Sequence, residues 1–161
     1  MKRCRLLGLL AFAMILVQPA QAATNFGARA GLSFISGDAY AGVNSIGGLM
    51  GGELTFGVGS LIDIGATVDL STNGSIVFLG ALARSEFSGT GGVFADLEIG
   101  MSSSASSTSF GLGAGLGSKL GMIGDTLELL PRVGFRYLPQ NGQSGFGVNF
   151  MMIFNFAFGA K

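Results

Sequence analysis

The sequence predicts an all-β protein, an eight-stranded antiparallel up-and-down β-barrel that occupies residues 23–161. Three observations support this prediction. Large apolar residues alternate with small or polar ones along eight segments, which is the periodicity of two that β-strands require. Clusters of Gly, Ser, Asn and Asp separate these segments, as turns do. In the seven segments that alternate clearly, every charged residue lies on the face opposite the large apolar side chains.

Residues 1–22 come before the predicted barrel and have the pattern of a secretory signal peptide. Basic residues at positions 2, 3 and 5 precede an apolar stretch over 6–17, and Ala20-Gln21-Ala22 provides a small-residue cleavage site. We expect cleavage after Ala22. The apolar stretch is shorter than the roughly 20 residues that a transmembrane helix needs. Because Cys4 is the chain's one cysteine, the mature protein is expected to contain neither disulfides nor reactive thiols.

The first half of the barrel is predicted from four segments. They span residues 25–35, 46–58, 61–71 and 76–86. The first three alternate clearly, but the fourth has two possible orientations. If Arg84 and Glu86 face inward, then Val77 and Leu79 face outward.

Four more segments complete the barrel. They span residues 93–101, 110–119, 127–138 and 146–158. In the sixth segment the apolar residues alternate with glycines. Pro131 lies inside the seventh and predicts a kink or a bulge there, because proline cannot donate a ladder hydrogen bond. The stretch 117–131 between these two segments is left without an assignment.

The charge content favours a barrel in a membrane. Charged residues make up 11% of the chain, whereas the surface of a soluble protein typically has roughly 25–35%. A cationic side chain on the lipid-facing side costs about 2–4 kcal/mol at mid-membrane, so a large apolar face without charges is typical of a transmembrane barrel. A soluble sheet with this face in its core is the alternative. The mature chain has nine acidic and six basic residues, which argues against nucleic-acid binding.

These patterns together resemble small bacterial outer-membrane β-barrels of the eight-stranded OmpA/OmpX-like class. The end of the chain is similar to the C-terminal assembly signal of that class, with its lipid-facing residues at Phe150, Met152, Phe154, Phe156 and Phe158. The resemblance implies the outer membrane of a Gram-negative-type bacterium, contact with outer-membrane lipid, and insertion by the barrel-assembly machinery. The chain departs from the class at Gly159-Ala160-Lys161, which follow the signal, and in having no tryptophan for the aromatic girdles.

The charged residues of the inner face are predicted to form a plug of ion pairs. An eight-stranded barrel is just wide enough for side chains to fill, and buried charges need partners. The predicted network comprises Arg29, Glu53, Asp96, Glu98, Arg132 and Arg136. Asp96 and Glu98 are also spaced as a carboxylate pair for acid/base chemistry, but ion pairing with the arginines is the favoured interpretation.

The sequence favours a protein that is not an enzyme. The chain has no histidine, which excludes Ser-His-Asp catalysis and the usual zinc sites. Residues 111–119 lack the Gly-Lys-Ser/Thr order of a phosphate-binding loop. We therefore expect a monomeric membrane protein without a cofactor or metal, with a structural or surface-interaction role.

Two other functions remain open at this point. The first is a narrow pore or small-ligand channel, because several glycines on the inner face could leave a path for water. These are Gly27, Gly31, Gly65, Gly111, Gly113, Gly115 and Gly134. The second is a secreted soluble barrel that carries a lipid inside. The loops predicted at the outer end, 36–45, 72–75, 102–108 and 139–145, are short and rich in Ser, Gly, Asn and Gln, and they offer few anchors for a tight protein interface.

Overall fold

A computed structural model describes residues 24–58, 62–104, 107–124 and 126–158. The predicted signal peptide and its cleavage site after Ala22 lie outside these residues. Two single 3-10 turns, Asp38–Tyr40 and Asn73–Ser75, accompany the strands. The strands are β1 (Thr24–Ser36), β2 (Ile46–Val58), β3 (Ile62–Ser71), β4 (Ile76–Glu86), β5 (Val93–Ser103), β6 (Thr108–Ser118), β7 (Gly121–Ile123), β8 (Leu127–Tyr137) and β9 (Phe146–Phe158). No helix within the described ranges is long and apolar enough to cross a membrane.

The strands close into a barrel. Each strand from β1 to β6 pairs antiparallel with the next one in sequence. β1 also pairs with β9, β9 pairs with β8, and β8 pairs with β6, which completes the ring. The short β7 pairs with β8 and continues the line of β6. The predicted eight-stranded antiparallel up-and-down barrel is therefore confirmed.

The pairing register gives the stagger of the barrel. Starting at Leu127 in β8, the paired residues lead through Phe156 and Phe26 around all the strands and return to β8 at Tyr137. The return point is ten residues further along the same strand. Strand tilt and stagger are linked in a closed barrel, with a typical tilt of roughly 35–45°. Consequently, residues that are far apart in the sequence lie at the same level along the barrel axis.

A β-bulge explains how Pro131 fits inside β8. Gly117 pairs with Arg132 and Gly121 pairs with Leu129, so three residues of the β6–β7 line lie opposite two residues of β8. The extra residue interrupts the ladder beside Pro131, where an N–H donor is missing. The bulge expected near Pro131 is thus on the neighbouring strand. The stretch that had no assignment forms the bulge and a hairpin between β7 and β8.

Each of the eight long strands has one buried and one exposed face, whereas the three residues of β7 are all exposed. In β4, Phe78 and Arg84 are buried while Val77 and Leu79 are exposed, which settles the orientation that the sequence left open. Leu97 at 67% and Leu79 at 60% are among the most exposed large apolar residues. Charged side chains of the barrel wall lie on the inner face throughout the described strands. The wall therefore presents an apolar exterior around a charged core.

The two ends of the barrel differ in the chain segments they carry. We call the end where β1 begins and β9 ends the lower end. The upper end carries the connections β1–β2, β3–β4, β5–β6 and β8–β9. Asp38, in the β1–β2 connection, is the one charged residue in these four connections.

Candidate functional site

The centre of the barrel holds four arginines and four carboxylates, each at most 5% exposed. They are Arg29, Arg84, Arg132 and Arg136, with Glu53, Asp69, Asp96 and Glu98. The formal charges cancel. A buried ion needs partners to offset its loss of hydration, and the alternation of each strand puts all eight side chains on the inner face.

Arg29 occupies the middle of this network. Its Nη2 lies 2.9 Å from Oε1 of Glu98, and its Nη1 lies 3.1 Å from Oδ2 of Asp69. Its Nε is 3.8 Å from Oε2 of Glu53. Nη1 also donates a hydrogen bond to the hydroxyl of Thr67. One guanidinium from β1 therefore connects carboxylates from β2, β3 and β5.

Glu98 is the acidic counterpart of Arg29, because three arginines converge on its carboxylate. Besides Arg29, Arg136 donates from Nε to Oε2 at 2.7 Å, and Arg132 Nη2 lies 3.4 Å from Oε1. Arg132 is also paired with Asp96, to which its Nε donates at 2.7 Å and its Nη2 donates in parallel. Two-point Arg–carboxylate pairs of this kind are among the stronger hydrogen-bonded contacts in proteins.

The structure brings all six residues of the predicted network together and adds two more. Arg84 forms a two-point pair with Glu53, at 2.7 and 3.0 Å, and its Nη2 lies 3.7 Å from Asp96. Asp69 accepts a hydrogen bond at Oδ2 from Nη2 of Arg136 and lies beside Arg29. The inward parity of Asp69 was visible in the sequence, whereas that of Arg84 depended on the orientation of β4.

Two phenylalanines bracket the network along the barrel axis. Near the upper end, the guanidinium of Arg136 lies 4.2 Å from the ring centre of Phe78. Near the lower end, the guanidinium of Arg84 lies 4.6 Å from the ring centre of Phe94. Both rings are at most 2% exposed. Cations are attracted to aromatic faces, so the two rings help to hold the outermost arginines in place.

The glycines of the inner face make room for the network. A Cβ on Gly115 would lie 2.5 Å from the guanidinium carbon of Arg132, and one on Gly134 would meet the same guanidinium. A Cβ on Gly113 would lie 2.8 Å from Oε2 of Glu98. The space beside these three glycines is therefore occupied by neighbouring side chains.

A small cavity lies above the network. It measures about 10 Å³ and is lined by polar and apolar groups, namely Ser33, Ile35, Leu49, Asp69, Ser71, Ile76, Phe78, Arg136, Leu138 and Asn149. This volume is close to the minimum for a single water molecule. Oδ1 of Asp69, which has no hydrogen-bond partner among the described residues, is suited to such a water.

The lower rim carries a separate, half-exposed ion pair. Nζ of Lys119, in the bulge, lies 2.6 Å from Glu86 and 3.9 Å from Glu128. Burial alone would lower the pKa of Lys119, but the hydrogen bond with Glu86 and the charges of both carboxylates raise it above its ordinary value. Within the described residues, no group of three or more potential ligands is arranged to hold a metal ion.

The residues of the predicted assembly signal lie on β9. Phe150 and Phe154 are exposed on the outer face, and Met152 and Phe156 are half-buried there. The backbone of Phe158 pairs with Thr24, and its side chain lies outside the described part of the structure.

Comparison with known proteins identifies the fold. No protein-family profile matches the sequence, and no curated protein matches it. Among solved structures, the chain is similar to Neisserial surface protein A, with a TM-score of 0.67 and 16% identity over 84% of this chain and 99% of that one. It is also similar to Ail of Yersinia pestis, crystallised with the heparin analogue sucrose octasulfate, with a TM-score of 0.52 and 11% identity over 84% and 99%. The fold is that of the eight-stranded OmpA/OmpX-like barrels.

Proposed function

We propose that this chain is an integral outer-membrane barrel that does not conduct ions and acts as a stable structural or surface-exposed element. The observation that carries the proposal is the neutral network of four arginines and four carboxylates that fills the lumen between Phe78 and Phe94. An interior filled in this way argues against a solute path and against a carried lipid.

The outer wall supports a location in the membrane. Its exposed large residues are apolar on every long strand of the described barrel. A closed barrel satisfies all backbone groups of its wall, which is the condition for a sheet to cross hydrocarbon. The likeness to barrels from bacterial surfaces agrees with this location. Outer-membrane lipid is then the main partner, and the barrel-assembly machinery is the expected partner during insertion.

In the described part of the barrel, the four carboxylates of the core network are not free to act in catalysis. All four core carboxylates are engaged by guanidinium groups, and the chain has no histidine. General acid/base catalysis needs a titratable group that can reach a substrate, and these side chains are buried. This arrangement supports a role without enzymatic activity.

Localisation is tested by separating the membranes of expressing cells and comparing boiled with unboiled protein on a denaturing gel. We expect the protein in the outer-membrane fraction, with faster migration before boiling. A protein in the soluble fraction without a mobility shift would contradict the membrane location.

Conductance in a planar bilayer tests the plug. We expect no current steps for the purified wild type, and discrete steps for a variant that combines Arg29→Ala with Glu98→Ala and so removes the two side chains at the centre of the network. Steps of the same size from the wild type would support the pore instead.

A further inference from the structure

We propose that the segment 37–42, between β1 and β2, is a hinged lid that closes the upper end of the barrel, with Tyr40 as its latch. In the closed position the lid keeps bulk water out of the cavity above the ion-pair network. The proposal rests on the proposed function in one respect only, which is the side of the membrane on which the upper end lies.

Tyr40 is inserted into the upper end of the barrel. Only 6% of its surface is exposed, although its neighbours Asp38 and Ala41 lie on the outside. Its ring belongs to an apolar cluster with Ile35, Ile76, Phe78 and Leu138. Phe78 and three other members of that cluster line the cavity directly beneath. The ring therefore lies on the route from the upper surface to the cavity.

Polar contacts tie the lid to the rest of the upper end. The hydroxyl of Tyr40 donates to the carbonyl oxygen of Leu138 at 3.0 Å, and the amide of Ala39 donates to the carbonyl oxygen of Ser144 at 3.2 Å. A Cβ on Gly145 would lie 2.3 Å from the Tyr40 ring, so the β8–β9 connection is shaped to receive that ring.

The first and last residues of the lid are glycines with left-handed backbone. Gly37 has φ +105° and Gly42 has φ +83°. Glycine adopts such conformations without the steric cost that other residues meet, and short glycine-containing connections can absorb the rotation of a moving segment. A Cβ on Gly42 would meet nothing within 4 Å, so a substitution there acts on the backbone alone.

Cysteine labelling of the purified full chain, in a Cys4→Ser background, tests the lid. Ser33→Cys places a thiol in the cavity, where the serine is 3% exposed. Gln143→Cys provides an exposed reference at the same end. The probe is a charged, water-soluble methanethiosulfonate. We expect Ser33→Cys to react about tenfold or more slowly than Gln143→Cys, because reaction requires local opening.

Variants of the two tyrosines identify the latch. Adding Tyr40→Ala should raise the labelling rate of Ser33→Cys about tenfold, whereas Tyr137→Ala, which removes the tyrosine of the outer wall, should leave it unchanged. Gly42→Ala should raise the rate several-fold, because it strains the closed backbone. Each variant is first checked for the mobility shift of a closed barrel, and Ser71→Cys replaces Ser33→Cys if the latter does not fold.

Two results would overturn the proposal. One is equal labelling of the cavity and reference cysteines with Tyr40 present. The other is a cavity labelling rate that does not respond to Tyr40→Ala. Because labelling is measured on purified barrels in detergent, a failure of the membrane location would appear in the fractionation experiment and not here.

Discussion

Arg132 and Asp96 form a two-point ion pair at the centre of the barrel, with Nε of the arginine donating to Oδ2 of the aspartate at 2.7 Å. The two residues are on β8 and β5, which do not pair with each other. Both strands pair with β6, so the contact passes over Gly115 on the inner face of β6 and links two strands that the ladder joins only through β6. The pair stabilises the fold because both charges are buried together and each offsets the lost hydration of the other.

Replacing Arg132 with alanine should destabilise the barrel strongly. The substitution leaves Asp96 buried with Arg84 at 3.7 Å as its remaining cationic contact, and removing one partner of a buried pair typically costs about 3–5 kcal/mol. We expect a lower unfolding midpoint, measured from the boiled-to-unboiled mobility shift as a function of temperature.

Two further variants test whether the loss of stability in Arg132→Ala comes from the unpaired buried charge. Lys119→Ala removes a half-exposed pair and should cost no more than about 1 kcal/mol. Arg132→Met combined with Asp96→Leu removes both charges and should recover much of the loss. An unchanged midpoint for Arg132→Ala would refute a stabilising network.

The alternation of apolar residues predicted the strands and the inward side of most charges, because a strand has only two faces. It did not identify the partners. Arg84 and Glu53 are 31 residues apart and lie on strands that do not pair. Their meeting depends on the stagger of ten residues around the barrel, which no local pattern in the sequence displays.

The inner glycines show the same limit of sequence patterns. Alternating glycines predicted small side chains inside the barrel but could equally have meant open space. Only the positions of long side chains from other strands, such as Arg132 over Gly115, show that the space is filled. The Tyr40 lid was also unexpected, because a single tyrosine in a polar connection carries no periodicity.

Gly115→Val should destabilise the barrel without opening a pore. The new side chain would overlap the buried guanidinium of Arg132, and overpacking of a filled core costs about 1–3 kcal/mol. Gly52→Ala is the control, since the nearest atom to its Cβ would be 3.6 Å away. Equal unfolding midpoints for the two variants would mean that the space left by the missing side chain at Gly115 is not needed to accommodate Arg132.

Alkaline titration should show that the folded barrel protects the hydroxyl of Tyr40 from losing its proton. Burial raises the pKa of its hydroxyl above the ordinary value of 10.0, against smaller opposing effects of the polar side chains of Ser102 and Gln140. Between the ordinary and the raised value, the unfolded chain has lost a proton that the folded chain keeps. Stability should therefore fall as the pH rises through this window.

The chain has two tyrosines and no tryptophan, so Tyr137→Phe leaves Tyr40 as the single reporter of tyrosinate absorbance. We expect a titration midpoint above 10.0 in this variant. Tyr40→Phe should lose less stability at alkaline pH than the wild type does. A midpoint at or below 10.0 would show that Tyr40 is open to water.

The upper end should not bind sulfated polysaccharides. Recognition of sulfate groups requires clusters of cationic side chains, and the four upper connections contain no lysine or arginine. Heparin binding to the purified barrel should be undetectable by surface plasmon resonance at physiological salt. A triple variant that places arginines at Asn44, Thr72 and Gln143 should bind, and binding by the wild type would reveal a site that this surface does not display.

Leu97→Arg distinguishes a membrane wall from the surface of a soluble protein. Leu97 is 67% exposed in the middle of β5, between the outward residues Ala83 and Ala114. On a soluble surface, replacing an exposed leucine with arginine changes stability by little, usually within about 0.5 kcal/mol. At mid-depth in a bilayer the same change costs about 2–4 kcal/mol. We therefore expect a clearly lower unfolding midpoint in lipid vesicles for Leu97→Arg, and little change for Gln143→Arg in the upper connection. Equal midpoints would mean that the exposed apolar wall does not face hydrocarbon.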